Sequence, residues 1–425
     1  MTAPYSIGVL GGGTVGHHLA MELGRLGMRV LMFDERPQRL ASFLEAGKPV
    51  GEVAVASSLR ELVEHLEPPR RILLSLADDE PASELLDALT AMIEPSDVVA
   101  DLSYSYFKKT ERREALMARP GARYLDVGAC AAPREKDRRR YVFHVGGHRV
   151  AYESIRSTLE KLAPAPDGPA VAYLGPAGAG HLIANVAESL ELAFRQGATE
   201  VARLVRCCDG LTAAQAADQL REMSKGRSPF LAEAATSLVT PGGDQGQVAS
   251  ADRQRMPEVI RRVARTALDF SVFVPTLSTG IRIGRVVPGC EVRSTAAVPP
   301  PLPLPAPAGW TPDDALAAFE LASASIVTQG FALIGVVADQ LDYGTKLPDV
   351  ARVWSGLAGF DRATLDVVTA GFQKDPAALA PAENPLCAHL ANRLPALRRA
   401  VARCALAGIP IPVLSSALTF LDEMV

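Results

Sequence analysis

The sequence predicts an α/β protein: a Rossmann-type, doubly wound N-terminal domain followed by an all-α, internally duplicated C-terminal domain. Three observations carry that prediction. Short apolar runs alternate with amphipathic stretches up to about residue 177. A glycine pattern follows the first apolar run directly, in Ile7–Asp34, IGVLGGGTVGHHLAMELGRLGMRVLMFD. Beyond residue 178 the strand signal disappears and helical patterns run to the end, where Val274–Thr279 (VPTLST) is matched by Ile411–Ser416 (IPVLSS).

The first predicted strand, 7–10, runs into Gly11, Gly13 and Gly16, a G-x-G-x-x-G spacing. Gly11 permits the tight turn, Gly13 lets a pyrophosphate approach the backbone, and Gly16 lets the helix from Thr14 pack on the strand with its N-terminus aimed at the phosphates. A second strand, 28–33, ends in Asp34, placed to accept hydrogen bonds from an adenosine ribose. Further strands are predicted at 71–76, 97–101, 123–127 and 141–145, with helices at 14–26, 36–46, 58–66, 80–93, 106–118 and 148–163. Thr14, Val15, Arg36, Leu76 and Ala77 complete the expected cofactor set. Asp34 and Glu35 repel a 2′-phosphate and Arg36 alone attracts one, so NAD is expected over NADP.

The expected division is a dinucleotide-binding domain over 1–177, a first helical half over 178–297, a proline-rich connector over 298–309 (VPPPLPLPAPAG) and a second helical half over 310–425. With 425 residues, 48% hydrophobic and 22% charged, the chain reads as an ordinary globular protein of two or three domains. A net charge of −4 gives no reason to expect nucleic acid, and the basic run at 134–140 (REKDRRR) reads as a solvated loop. The six cysteines show no C-x-x-C spacing, so neither a disulfide framework nor a metal site is expected. No signal peptide is expected before the first strand, and no apolar run is expected to span a membrane. The expected location is the cytoplasm.

The helix opening at Gly178 puts His181, Ala184, Glu188, Glu191 and Arg195 on one face about 80° wide. Together with the nucleotide motif, Gly178-Ala-Gly-His181, Asp101 with Ser105 and Thr110, the glycines at 146–147, VWSGLAG at 353–359 and AGIPIPVLSSALTFLDE near the end, this helix resembles the 6-phosphogluconate dehydrogenase family. The likeness covers nearly all of the chain. It implies an obligate homodimer with an active site built on this helix. It also implies departures. The family's general-base lysine falls at Ala184, an asparagine at Glu188, a phosphate-binding tyrosine at Leu192 and another asparagine at Tyr104. The family's serine-glycine-glycine turn falls at Cys130-Ala131-Ala132, and the tail that reaches a partner's site is not expected, since the sequence stops at Val425.

What the resemblance keeps is Glu191, at the place of the family's general acid, with Arg261 and Arg285 near its phosphate-binding cations. Glu191, Glu188, His181 and Tyr104 are the expected acid–base candidates, Glu191 and Glu188 being expected to share a proton. Ser105, Cys130, Ala184, Asn185, Arg261 and Arg285 are the expected substrate contacts. Losing a positioned base costs on the order of 10²–10⁴ in rate. The expected function is therefore an NAD(H)-dependent oxidoreductase acting on another small molecule, a carbonyl, hydroxy acid or imine, since imine reductases and hydroxyacid dehydrogenases are built similarly. The alternatives are a dehydrogenase of phosphorylated sugar acids with a replaced base, and a nucleotide-binding protein without turnover.

Overall fold

The structure, a computed structural model, describes residues 4–40, 51–76, 80–135, 138–165, 168–225, 228–240, 250–279, 310–357, 359–360, 362–374 and 392–424. Elements in the first part of the chain are β1 (Ile7–Leu10), α1 (Thr14–Arg25), β2 (Val30–Phe33), β3 (Val53–Val55), α2 (Leu59–Glu64), β4 (Arg71–Leu74), α3 (Glu80–Thr90), β5 (Val98–Asp101), α4 (Phe107–Ala118), β6 (Arg123–Glu135), β7 (Arg138–Gly147), α5 (Arg149–Leu162) and β8 (Val171–Gly175). Helices follow: α6 (Ala179–Arg203), α7 (Ala213–Ser224), α8 (Pro229–Val239), α9 (Ser250–Asp269), α10 (Pro275–Thr279), α11 (Pro312–Gln340), α12 (Leu347–Trp354), α13 (Arg362–Lys374), α14 (Leu394–Leu406) and α15 (Pro412–Met424). They form two compact units, Met1–Ala184 with Ala338–Leu357, and Asn185–Val337 with Ala358–Val425.

In the first unit the strands make one sheet in the order β3-β2-β1-β4-β5-β6-β7-β8. The pairs from β3 to β6 are parallel, β7 runs antiparallel to β6, and β8 is parallel to β7. Strands so covered read as continuous apolar runs, and Ile7, Val9, Leu10, Ile72 and Leu74 are all fully buried. The order reverses between β1 and β4, which puts the glycine turn after β1 at the crevice where such sheets bind nucleotides.

The expected alternation is therefore present, with differences at the edges. Strand β3 is only Val53-Ala54-Val55 and half-buried, too short to read as a strand. Strand β8 emerges from a Pro- and Gly-rich stretch. Strand β6 continues through Ala129-Cys130-Ala131-Ala132, small residues with weak β-propensity, because each pairs with β7. The Cys130-Ala131-Ala132 segment is thus strand, correcting the expected turn.

The expected boundary near 177 is crossed by a return of the chain. Residues 338–357 belong to the first unit, where the Thr345 hydroxyl donates to the Leu174 carbonyl (2.6 Å) and Arg352 Nη2 donates to the Val171 carbonyl (2.9 Å).

The second unit is all-α, and its duplication extends to individual hydrogen bonds. Val272 N–H donates to Ala267 O at 2.8 Å, and Ile409 N–H donates to Cys404 O at the same distance. Each helix stop uses a left-handed residue, Ser271 (φ 56°) and Gly408 (φ 70°), before a helix opened by proline. Thr279 and Ser416, 137 residues apart and matched in the repeat, meet hydroxyl to hydroxyl at 3.4 Å. The long helices cap the short ones of the opposite half. The buried Glu200 carboxylate of α6 accepts from Val413 N–H and Leu414 N–H, both at 3.0 Å, while Gln329 Oε1 of α11 accepts from Thr276 N–H at 2.9 Å. The proline-rich connector lies outside the described residues.

One expectation about membranes is corrected. Helix α11 is long and apolar enough to cross one by length and composition, but 83% of its most apolar window is buried inside the protein, as in a core helix.

Candidate active site

At the glycine turn Gly11 has φ +113°, and a Cβ there would lie 2.3 Å from the Ser75 carbonyl oxygen. A Cβ at Gly16 would lie 1.9 Å from the Gly11 carbonyl oxygen, so α1 packs on the turn only because that residue is glycine. Gly13, the residue before α1, offers no side-chain cap, so the first N–H groups of the helix remain for an anion. Thr14 is exposed and Val15 half-buried at this helix start. Leu76 follows β4 beside the turn, its N–H donating to the Ser103 hydroxyl at 3.0 Å. Ala77 lies outside the described residues.

Asp34 is 5% exposed at the end of β2. Its Oδ2 accepts from Gly12 N–H at 2.7 Å and its Oδ1 from Arg36 N–H at 2.8 Å. Two guanidinium groups flank it, Arg36 Nε and Arg39 Nη1, each at 3.5 Å. Arg39 was not anticipated, because its place follows from the helical turn after Pro37 rather than from the strand–acid pattern. The carboxylate is held at the mouth of the turn by a backbone donor from the turn itself. These residues fit a dinucleotide: open N–H groups for the pyrophosphate, and a fixed carboxylate for the ribose.

The start of α6 is tied to the sheet in the first unit. Asp126 of β6 accepts from Gly178 N–H (3.1 Å) and His181 N–H (2.8 Å), capping the helix. Burial pushes the Asp126 carboxyl above the usual carboxylate range, against the opposing effect of the His181 and Gly178 N–H donors. His181 is 1% exposed; its Nε2–H donates to the Asp101 carbonyl (3.1 Å) and its Nδ1 accepts from the Thr110 hydroxyl (2.8 Å). Both ring nitrogens are committed, which corrects the acid–base role expected for His181: it anchors the helix. Beneath it Asp101 takes donors from Ser103 N–H, Arg113 Nη1 and the Tyr124 hydroxyl at 2.9, 2.8 and 2.7 Å. Burial alone would raise Asp101, but the Arg113 guanidinium, with the donors from Ser103 and Tyr124, holds it below the usual range.

Ala184 also differs from its expected role as a substrate contact. It is 4% exposed, and a Cβ added at Gly128 of β6 would lie 2.2 Å from its methyl, so helix and strand touch there. The Cys130 thiol is 2% exposed and donates to the Ala184 carbonyl at 3.8 Å, making it a packing contact as well. Behind it the fully buried His144 accepts from Trp354 Nε1–H at Nε2 (3.1 Å) and donates from Nδ1 to the Gly128 carbonyl (3.3 Å). Burial lowers the His144 pKa to about 4. Ser105 is fully buried and Tyr104 half-buried in the loop after β5.

In the second unit Asn185 is 4% exposed and Glu188 half-buried on α6. Glu191 pairs with Arg195 at 2.8 Å, and Arg195 in turn pairs with Glu233 and lies over the Phe230 ring, 5.0 Å from its centroid. Glu188, the expected proton-sharing partner, lies on the same helix, and Arg195 is the cation beside Glu191. Arg261, an expected substrate contact, is exposed on α9 and paired with Glu258 along its own helix. Arg285 lies outside the described residues. No group of metal-binding side chains occurs among the described residues.

Residues 6–175 match the profile of the NAD binding domain of 6-phosphogluconate dehydrogenase, and residues 180–425 that of the enzyme's C-terminal domain. The chain belongs to the 6-phosphogluconate dehydrogenase family. It is similar to the decarboxylating 6-phosphogluconate dehydrogenase of Synechococcus elongatus, 26% identical over 98% of this chain and 91% of that protein. The NADP(+)-dependent decarboxylating enzyme of Bacillus subtilis is 23% identical over 98% of this chain and 91% of that protein. The fold matches Plasmodium falciparum 6-phosphogluconate dehydrogenase with a TM-score of 0.85 at 19% identity, covering 98% of this chain and 92% of the other. The fold of a 3-hydroxyisobutyrate dehydrogenase from Salmonella typhimurium matches with a TM-score of 0.51 at 18% identity, over 65% of this chain and 92% of that one. The family member described here is an NAD(P)-dependent oxidoreductase with a small-molecule substrate.

Proposed function

We propose that this oxidoreductase uses NAD(H) and acts on a small carbonyl compound, hydroxy acid or imine, without oxidatively decarboxylating 6-phosphogluconate. The observation that carries this reading is Ala184. The resemblance puts a general-base lysine there, and the residue present is a methyl packed on Gly128 that can neither hold nor move a proton. Leu192, 8% exposed, stands at the phosphate-binding tyrosine's place and offers a phosphate nothing.

Gly11, Gly13 and the first turn of α1 hold the pyrophosphate in this reading, and Asp34 the adenosine ribose. Bound there, the nicotinamide supplies or accepts the hydride. Asp34 and Glu35 favour a free 2′-hydroxyl, and the Gly12 N–H fixes the Asp34 carboxylate in place. Glu191 is the proton-exchanging group. Its pairing with Arg195 orients the carboxyl group, and its Oε1 accepts a proton from a hydroxyl during oxidation and returns it during reduction. Tyr104 and Glu188 are the remaining candidates for orienting the substrate.

Mixing the protein with NADH and a panel of carbonyls and imines, and with NAD and hydroxy acids, tests the proposal through absorbance at the nicotinamide band. Turnover of an unphosphorylated compound is the expected result. The similarity to decarboxylating 6-phosphogluconate dehydrogenases favours a second reading, a phosphorylated sugar-acid dehydrogenase with a replaced base. Turnover that demands a substrate phosphate would establish it instead. Absence of turnover across the panel would leave a dinucleotide-binding protein. The duplicated helical unit, with Leu268 81% and Leu406 77% exposed, supports a homodimer, for which light scattering gives twice the chain mass.

A further inference from the structure

Two thiols meet in the second unit. After α6 the backbone widens into a single π-turn, Leu204–Cys208. Such turns are rare and re-aim the side chains that follow them. Here Cys208 is turned inward, 5% exposed, while its neighbour Cys207 stays half-buried. Its hydrogen-bonding neighbour is Cys404 of α14, fully buried. The two belong to opposite halves of the duplication.

The register between them is fixed by the residue before Cys404. Arg403 Nη2 donates to the Cys208 carbonyl and Nη1 to Asp209 Oδ1, both at 2.5 Å, and its guanidinium lies 4.8 Å from the centroid of the Trp310 ring. With Arg403 so clamped, Cys404 cannot slide away from Cys208. The Cys404 thiol hydrogen-bonds to the Cys208 sulfur, which together with Arg403 holds Cys208 below the ordinary thiol range and leaves Cys404 far above it. The pair is asymmetric, with Cys208 giving up its proton more readily than Cys404.

We propose that Cys208 and Cys404 form a two-electron oxidation site that closes to an intramolecular disulfide on reaction with a hydroperoxide. The Cys208 thiolate attacks the outer oxygen of ROOH, the O–O bond breaks, and RO⁻ takes up a proton to leave as the alcohol. Cys208 is then a sulfenic acid. Cys404 attacks its sulfur, the S–O bond breaks, and the departing hydroxide takes the Cys404 proton to leave as water. Two thiols are oxidised, and one hydroperoxide is reduced to alcohol and water. The bridge ties the end of α6 to α14 and so links the two halves covalently.

Hydrogen peroxide is the probe, followed by alkylation and tryptic peptide mapping without reductant. Cleavage after Arg206 and Arg403 yields the peptide Cys207–Arg221 and one beginning at Cys404. The expected product is these two peptides joined, with two hydrogens lost, in the wild type and in Cys207→Ser, and separated again by dithiothreitol. Cys208→Ser and Cys404→Ser should not form it. The Cys207→Ser protein decides the matter even if the other variants fold poorly, since Cys208 is then the sole thiol in its peptide. Absence of the joined peptide from that variant, or its persistence in Cys208→Ser, overturns the proposal.

Discussion

Replacing His144 by glutamine should make the first unit less sensitive to acid. His144 is fully buried, accepts from Trp354 Nε1–H at Nε2 and donates from Nδ1 to the Gly128 carbonyl. The indole is a donor only, so a second proton on the ring would set two N–H groups against each other. Burial lowers the folded-state pKa from 6.5 to about 4. The folded pKa lies below the unfolded one, so the unfolded chain binds the extra proton first. Stability from this residue is complete above pH 6.5 and is lost as pH falls through 4. At about 1.4 kcal/mol per pH unit the loss across that window is about 3 kcal/mol. A glutamine can still accept from Trp354 but does not titrate. Urea unfolding at several pH values, followed by tryptophan fluorescence, gives the comparison. The stability of wild type relative to His144→Gln should fall by about 3 kcal/mol between pH 7 and pH 4. A difference that stays constant with pH would refute the reasoning.

Glu200 has the opposite sign: burial pushes its pKa from 4.5 up to about 7, so its contribution is full below pH 4.5 and is lost as pH rises through 7. Relative to Glu200→Gln, wild-type stability in the second unit should drop by about 3 kcal/mol over that rise, as read from urea unfolding; a flat difference contradicts it. Gly16→Ala puts a Cβ 1.9 Å from the Gly11 carbonyl oxygen, so it should cost about 1–3 kcal/mol of stability and at least about tenfold in NADH affinity by calorimetry. Glu191→Gln should lower turnover on the order of 10²-fold with NADH affinity nearly unchanged, and wild-type turnover would remove Glu191 from the mechanism.

What the sequence made legible was what repeats or alternates. The strand–glycine–helix–Asp34 run spells out its own structure, because each step is local and has a fixed spacing. The match of VPTLST to IPVLSS announced a duplication that appears as repeated hydrogen bonds at Ala267–Val272 and Cys404–Ile409. The candidate site was less legible where contacts are long-range. His181 reads as a catalytic group from its helix face, yet Thr110 and the Asp101 carbonyl take both its nitrogens. Nothing local told of Asp126 capping α6 from β6, nor of Trp354 reaching His144 across 210 residues of sequence. Glu191 pairs with an arginine four residues on, a contact that helical spacing could have flagged. Arg39 could likewise have been found one turn beyond Arg36, both guanidinium groups flanking Asp34.

In the proposed function Asp34 and the glycine turn hold NAD(H) in preference to NADP(H). Calorimetric titration of the wild-type protein with NADH and with NADPH tests it most directly. A desolvated like-charge contact at the 2′-phosphate costs about 1.4 kcal/mol or more, so NADH should bind at least about tenfold more tightly. NADPH binding as tightly as NADH, or more so, would mean that Arg36 and Arg39 outweigh Asp34 and Glu35, and would contradict the account.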